Sequence, residues 1–432
     1  MPFETTSPLP RRIAVVGGGI SGMAAAHALS RNHAVTLIEA APRLGGHART
    51  IIAGKNGDQP VDTGFIVFNK VNYPNLLALF EELDVPLALS DMSFAASLRG
   101  GAVEYSTQTL NTVFAQRRNL LSPRFLRMVR DILRWNARAA DSANDPDLPL
   151  HAFLDQLGLG SAFREWYLGP ISGAIWSTPS QDVMAFPAAA MVKFFANHHL
   201  LSNTGQHDWF TVDGGSIAYV SRLEAHLCRV GVEIRVGTPV QGIRRTGDGA
   251  EVRVRGGEWE AFDEIVLASH SDDSLALLSD PTPEESRILS RIRYQPNTAI
   301  THADPALMPR NRKCWASWNY AEPADRTPDQ IGLTYWMNRL QPIPLDDPLF
   351  VSLNPQQPIR EETIYDEVAF RHPVYDLEMM AAVEELRGLN GTKATWFCGA
   401  WMHNGFHEDG FRSALDVVRG MDARDALPVA AE

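Results

Sequence analysis

The sequence predicts an α/β chain in which a nucleotide-binding parallel sheet is interrupted by a second, α+β unit. Three observations carry that prediction. A short apolar run at residues 13–16 enters a glycine-rich turn, Gly17-Gly18-Gly19-Ile20-Ser21-Gly22. A second apolar run, 34–38, ends on an acid, Glu39. Far downstream, at residues 395–398, a further apolar run meets a glycine turn and then a helical pattern.

Residues 13–16 are unbroken in apolar character, as expected of a strand covered on both faces. The glycines of the turn divide its work: Gly17 permits the turn, Gly19 lets backbone approach a pyrophosphate, and Gly22 lets the next helix lie close on the strand. The helix predicted over residues 21–30 aims unpaired amides at an anion, with Ile20 and Ser21 at its positive end. Glu39, followed by Ala40, closes the second strand near the ~20-residue offset at which a carboxylate accepts from a ribose diol. A 2'-phosphate would be repelled there, which disfavours NADP. These parts form a Rossmann-like unit. Immediately after it come Arg43, Leu44, Gly45, Gly46 and His47. Read as a second wrap around a pyrophosphate they select FAD over NAD; the alternative is an ordinary surface loop.

Downstream, residues 61–69 read as a strand and loop that bring Gly64, Phe65 and Ile66 back to the cofactor. A mostly helical, proline-punctuated stretch follows to about residue 206. The pattern then returns to the nucleotide unit through a helix over 216–229 and strands at 233–236 and 264–268. It leaves again through segments rich in Trp and Tyr. The last return, a strand at 395–398 and a helix from about 408–410, offers a second helix N-terminus to the same ligand. The resulting division places a discontinuous FAD-binding domain in residues 11–75, 207–270 and 391–425, with a substrate or cap domain in 76–206 and 271–390.

A chain of 432 residues with 45% apolar content is large enough for two or three domains with filled cores. Its net charge of -12 argues against nucleic-acid binding. Cys228, Cys314 and Cys398 lack any metal-ligand or disulfide spacing, so no metal is expected and buried, reduced thiols are. The N-terminal residues carry no apolar signal core and no run is long enough to span a bilayer, which predicts a cytoplasmic protein. One segment runs against the acidic balance: Arg117, Arg118, Arg124, Arg127, Arg130, Arg134 and Arg138 interleave with Phe125, Leu126, Val129, Ile132, Leu133 and Trp135. It reads as one basic amphipathic helix, either a contact for anionic lipid at the inner face of a membrane or a solvated outer face.

The N-terminal fingerprint with RLGGH, the DTGF loop, WFTVDGGS and the closing FCGA with GFHEDG resemble the FAD-dependent amine oxidase and phytoene desaturase superfamily. DTGFIVFNKVNYPNL, SDMSFAASL, GPISGAIWSTPS, NHHLL and LMPRNRKCWASWN resemble more narrowly the flavoprotein domain fused ahead of plant cyclopropane fatty acid synthases, and its stand-alone bacterial relatives. The resemblance implies a fold of amine-oxidase type and an oxidoreductase acting on an apolar substrate, such as a fatty acyl chain of a membrane lipid. It also implies association with a lipid methyltransferase, either as a neighbouring enzyme or as a partner whose FAD is structural. By position, Gly17, Gly19, Ser21 and Gly22 match the pyrophosphate loop and Glu39 the ribose ligand. Arg43, Gly46 and His47 match the second wrap, with His47 where amine oxidases carry arginine. Gly64 and Phe65 match the loop beside the flavin ring, Val240 the backbone contact to adenine, and Gly399, Ala400, His407 and Glu408 the C-terminal flavin contacts. The lysine that amine oxidases place near the flavin is missing from EIVLASHSDD; His270 stands in that neighbourhood, and Trp401 alone is a candidate for the aromatic pair that frames an amine.

Flavin oxidation removes a hydride and, where a proton leaves with it, asks for a base; histidine suits neutral pH. His407 and His270 are the leading candidates, followed by His198 and His199, each equally readable as a hydrogen-bonded structural residue. Glu408 and Asp409 read as helix caps in preference to catalytic carboxylates. Arg310 and Arg312 read either as a carboxylate or phosphate anchor or as a solvated strand edge.

Overall fold

The computed structural model describes residues 10–179, 182–202, 205–247, 249–325 and 330–425. Strand Arg12–Val16 lies at the centre of a five-stranded parallel sheet, flanked by Ala34–Ile38 and Glu264–Leu267, with Glu233–Arg235 and Thr395–Phe397 outside them. Side chains alternate between its two faces. Ile13 and Val15 enter one hydrophobic core while Ala14 and Val16 enter the other, so the unbroken apolar run is explained by cover on both sides. Helix Ile20–Leu29 is buried on nearly every face, packed between Ile217–Arg229 and the C-terminal helix His407–Asp425. The sheet draws its strands from three separated stretches of chain.

The remaining sequence builds a seven-stranded sheet in the order Ile364–Pro373, Tyr294–His302, Phe350–Leu353, Leu333–Trp336, Trp318–Ala321, Phe94–Leu98, Val103–Ser106. Only the Trp318–Ala321 and Phe94–Leu98 pairing is parallel. Helices between residues 110 and 197 pack beside it, among them Pro123–Ser142, Gly169–Trp176 and Ala188–Asn197.

Several expectations change. The stretch expected to be mostly helical opens with strands, Leu87–Ser90, Phe94–Leu98 and Val103–Ser106, and the return to the nucleotide unit begins with a further strand, Trp209–Val212, which pairs with Leu87–Ser90 and Phe68–Asn69. The basic segment is not one helix. Leu110–Val113 is a single turn, Arg117–Leu121 is 3-10, and the long helix begins only at Pro123, with Ser122 Oγ accepting from Phe125 N–H at 3.3 Å. Proline disfavours helical geometry in the residue before it and is preorganised for the first helical position, so Ser122-Pro123 is a start signal. Cys314 and Cys398 are buried, but Cys228 is exposed, on the outer side of Ile217–Arg229.

Candidate active site

The site is built where the glycine turn leaves the central strand. Gly17 has φ +111°, and a Cβ there would lie 2.9 Å from the Ala268 carbonyl. A Cβ on Gly22 would lie 1.8 Å from Gly17 O, so the helix seats on the turn only because that atom is missing. Gly19 is different: no protein atom lies within 4 Å of its Cβ position. The helix that starts there has no side-chain cap although its first residues are buried, leaving orphan amides that a bound anion would satisfy. The second glycine loop runs beside the first, with Gly45 N–H donating to Gly18 O at 2.8 Å. Glu39 accepts from Gly18 N–H through one oxygen and from Ala41 N–H at 2.7 Å through the other, which fixes the carboxylate at the edge of the turn. The C-terminal helix arrives over Gly410, whose absent side chain leaves room for Ile20 and Ser21. Two helix N-termini thus sit together, and the donor set fits a dinucleotide.

From this cradle a continuous cavity of about 1420 Å³ extends into the second unit. That exceeds the roughly 300–1,000 Å³ of a site for one drug-sized ligand and leaves room for a substrate beside the dinucleotide. Gly17, Gly19, Ile20, Ser21, Glu39, Gly45, Gly46, His47, Gly64, Phe65 and Ile66 line it, together with His270, Gly399, Ala400, Trp401 and His407. Gly22 lies behind the turn. Ala40 and Val240 lie outside the cavity wall, as do Arg43 and Glu408.

The positions of Arg43 and Glu408 have clear causes. Arg43 turns into its own loop and donates to the carbonyls of Leu44, Gly46 and Ala48 at 3.0, 3.0 and 3.1 Å, so it braces the glycine pair and is not presented to a phosphate. Glu408 accepts from Asn75 N–H at 3.1 Å, Leu76 N–H at 3.0 Å and the Asn75 side chain. It is a cap, but for the helix Pro74–Glu82 and not for its own. Asp409 caps its own helix, accepting from Phe406 N–H at 3.0 Å. Arg310 and Arg312 are exposed and off the cavity, with Arg312 over the Trp315 ring at 5.3 Å. His199 is also exposed and outside, whereas His198 lines the cavity, stacked on Phe194.

Five histidines, His47, His198, His270, His372 and His407, contribute to the polar part of the wall. His407 stacks on Phe65 with ring centroids 3.8 Å apart, and its Nε2 lies 3.1 Å from the Tyr219 hydroxyl. Burial pushes its pKa down to about 3. The ring is therefore neutral at physiological pH, stacked and hydrogen-bonded in the wall. His270 stacks on Tyr294 at 4.2 Å and is also driven down to about 3, mainly by burial and then by His47. Sequence reasoning missed His372, whose Nδ1 accepts from Asn297 Nδ2 at 2.9 Å. Its ring centroid is 5.5 Å from that of His47, and His47 is 6.0 Å from His270. No spacing signal links residues 47, 270 and 372, because the sheet strand Ile364–Pro373 brings the third to the other two. Burial lowers His372 to about 3 and His47 to about 4, so both rings are neutral at physiological pH. Outside the cavity, His27, Glu82 and His226 also converge, their potential ligand atoms within 4.8 Å of one another. His226 Nδ1, however, faces Arg229 at 3.1 Å.

A pH dependence follows from the lowered values. Between about pH 4 and 6.5 the unfolded histidines are protonated and the folded ones are not, so the unfolded state binds more protons. The histidines' contribution to stability therefore rises with pH across that window and is lost as pH falls through it, opposed in part by Asp62 and Asp409, which burial raises to about 6. Each fully buried ring contributes up to about 1.4 kcal/mol per pH unit. Urea midpoints should fall from pH 7 to pH 5, and His407→Gln should flatten that decline by about one proton's worth.

Comparison with known proteins agrees with this geometry. The family model described as flavin containing amine oxidoreductase matches residues 20–311. (S)-6-Hydroxynicotine oxidase of Paenarthrobacter nicotinovorans is 25% identical over 281 residues, covering 63% of this chain and 63% of that protein. The chain thus spans under two thirds of the length of that curated relative. A fatty acid isomerase from P. acnes that produces CLA superposes with TM-score 0.67 at 16% identity, over 95% of this chain and 98% of its own. A putrescine oxidase variant does so with TM-score 0.68 at 16% identity, over 96% and 99%. With a glycine cradle that fits a dinucleotide and a matching model over two thirds of its length, the chain belongs to the flavin containing amine oxidoreductase family, whose cofactor is FAD.

Proposed function

We propose that this protein oxidises an apolar substrate, a fatty acyl chain of a membrane lipid, by two electrons at a C–C bond. One observation carries the reading: the part of the cavity wall supplied by the segments after residue 110 carries Val113, Val129, Ile132, Leu133, Ile171 and Ile175, a mainly aliphatic passage interrupted by Asn136. The two cavity-lining acids on this side are both spoken for. Among the described residues, Asp91 pairs with Arg339 at 2.7 Å and Asp273 with Arg371 at 2.5 Å, so neither of these carboxylates is free to receive a diamine. FAD, when bound, supplies a hydride acceptor. The chain's own part is to bind and orient. Gly17 to Ser21 and Glu39 hold the dinucleotide end, Phe65 and Trp401 wall the adjoining space, and Trp401 is pinned by donating to Ser269 O at 3.1 Å. The neutral histidines offer hydrogen bonds without charge, so an uncharged substrate displaces no solvated ion there. That the fold also hosts a fatty acid isomerase is support by analogy alone.

A second reading, amine oxidation, is favoured by the hydroxynicotine oxidase relative. Anaerobic titration of the FAD-loaded protein separates the two. Unsaturated and cyclopropane phospholipids should bleach the flavin and change in acyl composition, while putrescine and benzylamine should not. Bleaching by amines alone, with hydrogen peroxide released on readmitting air, overturns the lipid reading. Absence of bleaching by any member of the panel favours a structural FAD in a partner of a lipid methyltransferase.

A further inference from the structure

The apolar passage has a mouth. Leu110 and Leu133 both line the cavity and both stand in solvent, 78% and 53% exposed, so they mark where it opens. Beside them on the same stretch Leu121 is 87% exposed, and Leu120 and Leu126 are also exposed. Single exposed leucines are ordinary, but five within 24 residues, two of them on the cavity wall, are not. The helix Pro123–Ser142 presents Leu126 and Leu133 seven residues apart on one ridge, with Val129 and Ile132 turned to the passage and Arg127, Arg134 and Arg138 on the other flank.

The charges are unspent. Among the described residues Arg117, Arg118, Arg127, Arg134 and Arg138 have no carboxylate in ion-pairing distance; Arg117, Arg118, Arg127 and Arg134 bond to backbone carbonyls. Arg124 and Arg130 alone are paired, with Glu165 and Asp131. Charges more than ~8 Å apart are largely screened at physiological salt, so the net charge of -12 does not cancel a cationic rim of this kind. The rim calls for an anionic surface, and the leucines within it call for one with an apolar interior. An anionic bilayer has both, and an acidic protein only the first.

We infer that residues 110–138 dock on an anionic phospholipid bilayer, with Leu120, Leu121 and Leu126 entering its interface and the arginines on the headgroups, so that the passage opens toward the acyl chains. The purpose given to this docking rests on the apolar-substrate reading; the docking itself does not.

The test is sedimentation of FAD-loaded protein with phosphatidylcholine vesicles, with and without phosphatidylglycerol. Binding is expected only with phosphatidylglycerol, and it should weaken as salt is raised. Two variants away from the cavity wall, Leu121→Asp/Leu126→Asp and Arg117→Glu/Arg118→Glu/Arg127→Glu, should each bind by about tenfold less with flavin spectrum and melting temperature unchanged. Failure of the unaltered protein to bind, or equal binding by both variants, overturns the inference. Binding to immobilised polyglutamate without binding to vesicles reassigns the rim to an acidic protein and overturns it too. Turnover of lipid dispersed in detergent is scored separately: vesicle binding without such turnover keeps the docking and rejects the substrate reading.

Discussion

Gly22→Val is expected to purify without flavin. Its Cβ would fall 1.8 Å from Gly17 O and 3.3 Å from the Ala268 side chain, both parts of the turn and strand on which the helix rests. The helix must lift or the turn must open, and either displaces the amides that face the phosphates. The absorbance near 450 nm should vanish. Added FAD should no longer raise the melting temperature, whereas at 1,000-fold excess over Kd a ligand stabilises by about 4 kcal/mol. Gly19→Ala is the matching control, because its new methyl meets no protein atom. Its ligand-free form should melt like the unaltered protein while its FAD affinity drops. Full affinity in Gly19→Ala would show that no phosphate passes over that residue.

Arg245→Met should cost at least about 3 kcal/mol of stability. Arg245 and Glu285 side chains are 2% and 3% exposed, joined by two bonds of 2.8 and 2.9 Å, and Arg245 also holds Asp280 at 2.9 Å. Removing the guanidinium leaves a buried carboxylate with only its cap partner, Thr282 N–H at 2.7 Å. Adding Glu285→Gln removes the stranded charge and keeps that cap, so the double variant should recover most of the loss. The urea midpoints of the four proteins form a double-mutant cycle. If the single variant loses under 1 kcal/mol, a typical ceiling for exposed pairs, then the pair is not buried in solution.

The two cases differ in how far they can be read without coordinates. The consequence of Gly22 is legible from the spacing of a strand, three glycines and a helix. Nothing in the sequence couples Arg245 to Glu285, forty residues away. The same division runs through the site. The break before the basic helix was present in Ser122-Pro123 yet was outweighed by the regular recurrence of arginine. Glu408 reads as a cap from its place near a helix start, but which helix it caps depends on Asn75 and Leu76, delivered by a different stretch of chain. Arg43 reads as a phosphate ligand because it is a cation beside a glycine pair. Its guanidinium goes instead to three carbonyls that the tight loop leaves unpaired.

The sequence by itself determined the turn of the dinucleotide cradle, since phosphate is held by backbone amides and local sterics: Gly22 is fitted against Gly17 O five residues back, although Gly17 is in turn fitted against Ala268 of a distant strand. Only the tertiary structure decided the chemistry of the opposite wall. His47, His270 and His372 are neutral because burial strips their water, and that burial is assembled from segments more than 300 residues apart. The aliphatic passage, too, exists only where helices after residue 110 meet strands after 294, because a cavity is a property of packed surfaces and not of any one segment.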